Sequence, residues 1–164
     1  MITIRNASIA DAQGLIDLLN PIILGGKNSA MTQPFNLQNQ QNFIAGFPKQ
    51  GDFLVAEDSD NTIVGMQTIV PVYDFAPAFQ HVCEIATFVL ESAQHQGIGS
   101  LLMDKTKQQA QEKGFKKIIA MIRSDNISGL SYYKKHSFQQ IGLAKNHALI
   151  NGCFIDEVMT ECWL

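Results

Sequence analysis

The stretch from Ala86 to Gly99, ATFVLESAQHQGIG, reads as a β-strand, a short polar loop and the glycine-bearing start of a helix. Ala86-Thr87-Phe88-Val89-Leu90 is β-rich and Glu91 to Gln96 is polar; from Gly97 to Lys113 the apolar residues Ile98, Leu101, Leu102 and Ala110 recur on one helical face. Lys113 in the last turn and Gly114 beyond it mark the helix stop. The first N–H groups of a helix have no carbonyl partner inside it, and the helix dipole adds positive potential there. Glycines at the entry let a phosphate approach backbone that a Cβ would shield. The segment therefore predicts a site for a diphosphate-bearing cofactor.

Two familiar phosphate-binding patterns do not fit. A dinucleotide fingerprint needs a third glycine and an acid ending the next strand, whereas Met103 lies near the third position and Arg123 follows Ile122. A nucleotide-binding P-loop needs Gly-Lys-Ser/Thr, and none follows.

Outward from this segment, the chain alternates strands and helices. Ile2 to Arg5 is a short strand, and Ser8-Ile9-Ala10-Asp11 gives the S-x-x-D start of a helix carrying Ala12, Leu15, Ile16 and Leu19, with Pro21 expected to end it or begin the next. Leu37, Phe43, Ile44 and Phe47 predict a weaker amphipathic helix at the end of an Asn/Gln-rich stretch. Phe53 to Ala56 and Ile63 to Val72 form a hairpin around Ser59-Asp60-Asn61. Val82 to Leu90 is a third strand, with Glu84 as its one charged residue. Lys117 to Ile122 is a buried strand, Ile127 to His136 a short helix, and Gln139 to Gly142 and Cys153 to Trp163 are closing strands. No Pro/Ser linker or repeat divides residues 1–164, which predicts one α/β domain: a mixed, mostly antiparallel sheet with helices on both faces.

Composition narrows the function classes. The chain has 164 residues, 46% of them hydrophobic, enough for one sizeable core. Twelve basic and 15 acidic residues give a net charge of -3 without blocks of like charge, which disfavours nucleic-acid and anionic-membrane partners. No stretch reaches the roughly 18 apolar residues of a membrane span, and the first residues lack a signal-peptide pattern, so a cytoplasmic location is expected. Cys83, Cys153 and Cys162 are odd in number and read as reduced core thiols. His81, His95, His136 and His147 have no metal-ligand spacing, so no metal is expected.

Gln94-His95-Gln96-Gly97-Ile98-Gly99 resembles the Gln/Arg-x-x-Gly-x-Gly/Ala signature of the GNAT superfamily of N-acetyltransferases. Asn126-Ile127-Ser128-Gly129-Leu130-Ser131-Tyr132-Tyr133-Lys134-Lys135-His136-Ser137-Phe138 is similar to its second signature, an Asn followed by a Tyr-bearing helix that ends before Gly-Phe. The resemblance spans nearly the whole chain. The Phe79-to-Val89 layout with its strand Glu, and the ending from Asn151-Gly152 to Glu157, resemble the phosphinothricin and methionine sulfoximine acetyltransferases.

The resemblance implies acetyl-CoA as cosubstrate, a small-molecule amine as acceptor, direct attack in a ternary complex, and a homodimer. It implies that the backbone of Thr87, Phe88 and Val89 pairs with the pantetheine amides. It places Gln94, His95, Gln96, Gly97, Ile98, Gly99 and Ser100 around the pyrophosphate and Asn126 on the cofactor arm. Glu84 matches the subfamily's general base, and Tyr133 the acid that protonates the departing thiolate. Tyr73, Asp74, Phe75, Glu84, Ile85 and Ala86 are the expected acceptor-binding residues.

The chemistry suits these residue types independently. An alkyl ammonium of pKa about 10 cannot attack a thioester until it loses a proton, which a carboxylate can take, directly or through water. The departing thiolate needs a proton donor, and the oxyanion an N–H, which a splayed central strand could leave free. Structural roles compete: Glu84 as a solvated edge residue, Tyr133 as a core aromatic beside Tyr132. A catalytically silent acetyl-CoA sensor and a protein N-acetyltransferase are the alternative functions.

Three departures from the pattern matter. His95 and Gln96 stand where relatives carry Gly, Arg or Lys, which leaves the phosphates to backbone N–H groups. Ser137 replaces the Gly before Phe138. Asp74-Phe75-Ala76-Pro77 has no arginine where the subfamily brings positive charge toward an acidic acceptor, so a neutral or cationic amine is expected to outperform phosphinothricin.

Overall fold

The computed structural model describes residues 1–73 and 75–164. The elements run β1 (Thr3–Asn6), α1 (Ala12–Gly25), α2 (Leu37–Ala45), β2 (Asp52–Glu57), β3 (Ile63–Pro71), β4 (Val82–Val89), α3 (Ile98–Glu112), β5 (Lys117–Arg123), α4 (Ile127–Lys135), β6 (Gln139–Ile150) and β7 (Cys153–Trp163). All seven strands form one sheet in the order β1-β2-β3-β4-β5-β7-β6. The β4–β5 pairing is parallel and the others are antiparallel, which is the expected mixed sheet.

Period-2 alternation, shifted once by a bulge at Val64 opposite Ala56 and Glu57, sorts the strand side chains to two faces. Phe53, Val55, Ile63 and Met66 pack with Leu15, Leu18, Leu19 and Ile23 of α1. Leu54, Ala56 and Val64 pack with Ile98 and Leu102 of α3, and Cys83 and Ile85 pack with Met103, Ala110 and Tyr133. Helices α1 and α2 therefore cover one face, and α3 and α4 the other.

Pro21 does not end α1 but sits inside it. It removes one backbone hydrogen bond, yet buried Leu18, Leu19 and Ile23 hold the helix against the sheet until Gly26, at φ 67°, turns the chain out. Strand β6 does not stop at Gly142 but continues to Ile150. Register shifts between Gln140 and Gly142 and between Ala144 and Ala148 absorb the polar Lys145-Asn146-His147 stretch, and the Asn146 N–H donates to Asp156 Oδ1 at 2.7 Å. Leu101 is 45% exposed rather than on the core face, which Ile98, Leu102, Met103, Thr106 and Ala110 make up. Cys83 and Cys162 are buried thiols as expected, but Cys153 is exposed, because it follows the Asn151-Gly152 turn at the start of β7.

The feature that positions the site is a split in the sheet. Strands β4 and β5 pair only from Val82, Cys83 and Glu84 to Lys117, Ile118 and Ile119. Beyond Glu84 and Ile119 they diverge, although β4 runs on to Val89 and β5 to Arg123. A V-shaped gap thus opens in the centre of the sheet, with Glu84 at its closed end and the start of α3 beyond its open end.

Candidate active site

The alternation of an antiparallel ladder decides which groups of β4 face the gap. Val72 N–H donates to Val82 O and Leu90 N–H to Val64 O, so even-numbered residues of β4 bond to β3. Thr87 and Val89 consequently turn their N–H and C=O groups toward the gap. Phe88, expected to share in pairing with a pantetheine arm, turns its backbone to β3 instead. The Val89 carbonyl is also approached by Gln94 Nε2 at 3.4 Å. The N–H of Thr87 or Val89 is the kind of free strand donor that a tetrahedral oxyanion requires.

At the open end, Gly97 caps α3 at φ 82° and His95 is also left-handed, at φ 62°. Ser100 and Leu101 N–H both donate to Gly97 O at 3.0 Å, which leaves the N–H groups of Ile98 and Gly99 without an intrahelical acceptor. The Ile98 side chain is core, so only its backbone is available to a ligand. Ser100 Oγ lies 3.3 Å from His136 Nε2, an imidazole whose pKa is lowered by burial and by Lys107. Gly99 also serves packing. A Cβ there would meet the Tyr132 ring at 2.8 Å, so this glycine makes room for an aromatic side chain. Gln96 Nε2 donates to Ser92 O at 3.2 Å, which ties the loop to itself.

Asn126 caps α4. Its Oδ1 accepts from Gly129 N–H at 2.9 Å and from Ser128 Oγ at 3.0 Å, which leaves the amide Nδ2 for any other contact.

The Tyr133 hydroxyl lies 3.0 Å from Thr87 Oγ1, on the α3/α4 face of the gap. Gln67 of β3, directly across from Thr87, donates from Nε2 to Thr87 Oγ1 at 2.5 Å and to the Tyr132 hydroxyl at 3.3 Å. Tyr132 in turn donates to Gly99 O at 2.8 Å. Burial pushes the Tyr132 phenol up to about 12 and holds Tyr133 above the ordinary phenol value as well, so both are protonated at neutral pH. Neither Gln67 nor Tyr132 was expected here; the one signal for Gln67 was a lone amide among apolar residues in the Ile63–Val72 strand.

Glu84 lies on the opposite face of β4. Its pKa is raised by burial first and by the Glu157 carboxylate second. The ladders align Glu84 with Ile119, and Arg123 with Glu157, so all four share the α1/α2 face. Glu157 is thus a second acid facing the same side, which nothing in the local sequence indicated. Arg123 on that face is buried and held by four hydrogen bonds: it bonds both Asp125 oxygens and donates to Gly26 O at 2.7 Å and Ser29 O at 2.9 Å. Ala86, two residues along from Glu84, is exposed despite its place in a central strand, so this face is open beside the carboxylate. Ile85 points to the other face and is buried in the α3/α4 core.

The hairpin loop after β3 carries an aromatic cluster. Tyr73 meets Phe75 and Phe79 edge-on at 6.0 and 5.1 Å between ring centroids, and the ladder puts this loop next to Glu84, which pairs with Val70. Asp74 lies outside the described residues. Two surface concavities, around Lys49, His81 and Lys113 and around Leu130, Lys134 and Phe138, lie away from the gap. Among the described residues no cluster of three potential metal ligands occurs, and no helix is long and apolar enough to cross a membrane.

A split between two parallel strands, a glycine-started helix at its open end and a buried phenol on one face make up the candidate site. Residues 18–138 match the Acetyltransferase (GNAT) family, and the chain belongs to that family; it is an acetyl-CoA-dependent N-acetyltransferase. It is similar to YwnH of Bacillus subtilis, provisionally named a phosphinothricin acetyltransferase: 24% identity over 150 residues, covering 92% of this chain and 91% of that protein. It is also similar to the L-methionine sulfoximine/L-methionine sulfone acetyltransferase of Pseudomonas paraeruginosa, at 24% identity over 85% of this chain and 81% of the relative. Among solved structures, the phosphinothricin acetyltransferase of Sinorhizobium meliloti in complex with acetyl-CoA superposes with a TM-score of 0.89 at 20% identity, covering 99% of this chain and 88% of that one.

Proposed function

We propose that this chain transfers acetyl from acetyl-CoA to the primary amine of a small molecule by direct attack in a ternary complex. The observation that carries the reading is that Glu84, at the closed end of the β4/β5 gap, and the Tyr133 hydroxyl, at Thr87 where the strands have parted, lie on opposite faces of the sheet. Thr87 and Val89 would pair with the pantetheine arm, and the Gln94-to-Ser100 turn would hold the pyrophosphate through backbone N–H groups. Asn126 would meet the arm through its amide Nδ2, which the cap leaves unused.

The amine enters on the α1/α2 face, over Ala86 and beside Tyr73 and Phe75. Glu84 takes the ammonium proton, and the freed lone pair attacks the thioester carbon. A strand N–H holds the oxyanion. As the C–S bond breaks, the Tyr133 hydroxyl passes a proton to the sulfur, the acetylated nitrogen sheds its extra proton to solvent and the phenolate regains one from solvent, which gives the N-acetyl product and CoA thiol. Burial keeps Glu84 protonated to a higher pH than a free carboxyl, which moves its pKa toward the working range of a base.

Two carboxylates, Glu84 and Glu157, share the acceptor face, and the Arg123 guanidinium there is spent on Asp125 and two carbonyls. This charge balance favours a neutral or cationic amine over an anionic phosphinate. A cytoplasmic homodimer is part of the same proposal. It is supported by the apolar surface of the edge strand β6 and its partner β7, where Ile141, Leu143, Leu149 and Phe154 are exposed. The test is acetyl-CoA-dependent thiol release over a panel of amino acids, their sulfoximine and phosphinic analogues, polyamines and aminoglycosides. Turnover with a small amine supports the proposal; acetyl-CoA binding without turnover would instead indicate a silent sensor.

A further inference from the structure

We infer that Gln67 is a positioning residue that sets the direction of hydrogen bonding along Thr87 to the Tyr133 phenol, an inference that rests on reading Tyr133 as the acid. Gln67 is fully buried in a central strand, and its Oε1 has no partner among the described residues. An apolar side chain of similar length would fill that space without an orphaned carbonyl, so the amide is not explained by packing.

Its orientation follows from Tyr132. That phenol has one proton, which goes to Gly99 O at 2.8 Å, so the amide atom facing the Tyr132 oxygen must be the donor Nε2. The second Nε2 proton then goes to Thr87 Oγ1 at 2.5 Å. Thr87 Oγ1 accepts from Gln67, and the acceptor left for its own proton is the Tyr133 oxygen at 3.0 Å. With its oxygen already accepting from Thr87, Tyr133 is free to turn its O–H into the gap. Gln67 thus starts a chain of one polarity: amide N–H to threonine hydroxyl, threonine hydroxyl to phenol, phenol to the leaving sulfur. Without it, Tyr133 could give its proton to Thr87 and present only lone pairs to the thiolate.

The test is a double-mutant cycle between Gln67→Met and Tyr133→Phe, read as kcat, amine KM and acetyl-CoA Kd. Gln67→Met is expected to lower kcat by roughly tenfold with Kd and KM unchanged, and to have no further effect in the Tyr133→Phe background. Thr87→Val, which breaks the same chain at its middle, is expected to behave like Gln67→Met and carries the test if that variant does not fold. A normal kcat in Gln67→Met with a slow Tyr133→Phe overturns the relay and leaves the acid reading standing. Equal slowing by Gln67→Met in both backgrounds assigns Gln67 a merely structural role and overturns the inference. An unchanged kcat in Tyr133→Phe overturns the acid reading and the inference together.

Discussion

Thr87 presents its hydroxyl to the Tyr133 phenol at 3.0 Å across the face of β4 that Glu84 does not use. Side chains alternate along a strand, so residues 84 and 87 must point to opposite faces. A group that takes a proton from the incoming amine and a group that gives one to the leaving thiol can therefore work on the two sides of one thioester without exchanging protons with each other.

With Glu84 as the proposed base, the pH dependence of turnover is expected to report its titration. The base is active when ionised, and its pKa is raised by burial and by Glu157, so activity falls as pH drops through that raised value. Glu157→Gln removes one of the two causes. Its acidic limb in kcat/KM is expected to move to lower pH, and Glu84→Gln to abolish the limb. An unmoved limb in Glu157→Gln would separate the two carboxylates.

The glycines of the cofactor turn are expected to respond differently. Gly97 needs its left-handed φ of 82° and faces open space, so Gly97→Ala costs about 1 kcal/mol of strain and weakens acetyl-CoA binding with little change elsewhere. Gly99→Val is expected to displace the Tyr132 ring and lower Tm as well as affinity. Calorimetry and thermal melts of the two variants check this.

Acid stability has a local cause at the start of the fold. Arg5 holds the Asp11 carboxylate down at about 2 and bonds it at 2.7 and 2.8 Å, while Asp11 also accepts from Ser8 N–H at 2.7 Å. A depressed carboxylate adds stability above its unfolded pKa of about 3.9 and loses it as pH falls through that value toward 2. Asp11→Asn is expected to flatten this acid limb of the denaturation midpoint while lowering stability at neutral pH.

Acceptor charge is expected to decide specificity. With the Arg123 guanidinium engaged by Asp125 and two carbonyls, an anionic phosphinate forgoes a charge-assisted contact from it worth roughly 1.5 to 3 kcal/mol, at least tenfold in affinity. The ratio of kcat/KM for a neutral or cationic amine over that for phosphinothricin is expected to exceed unity. A strong preference for the phosphinate would mean that a basic group other than Arg123 reaches the site.

Much of this was legible in the sequence because the informative signals were local. The helix start at Gly97, the short helix from Ile127 and the isolated charge of Glu84 all follow from neighbouring residues. The remainder depends on partners distant in the chain. Gln67 reaches Tyr132 over 65 positions, and Glu157 approaches Glu84 only through the β5–β7 ladder. The room that Gly99 makes for Tyr132 was hidden for the same reason, since that ring comes from α4. Pro21 misled because packing of α1 outweighed one lost hydrogen bond.

The most direct test of the account is the rate of acetyl-CoA-dependent thiol release by wild type and Tyr133→Phe with the best small amine of the panel. The account predicts measurable turnover by wild type, a fall in kcat of about 10²-fold in the variant, and equal acetyl-CoA affinity in both. An unchanged kcat would return Tyr133 to the core as an aromatic filler and contradict the mechanism.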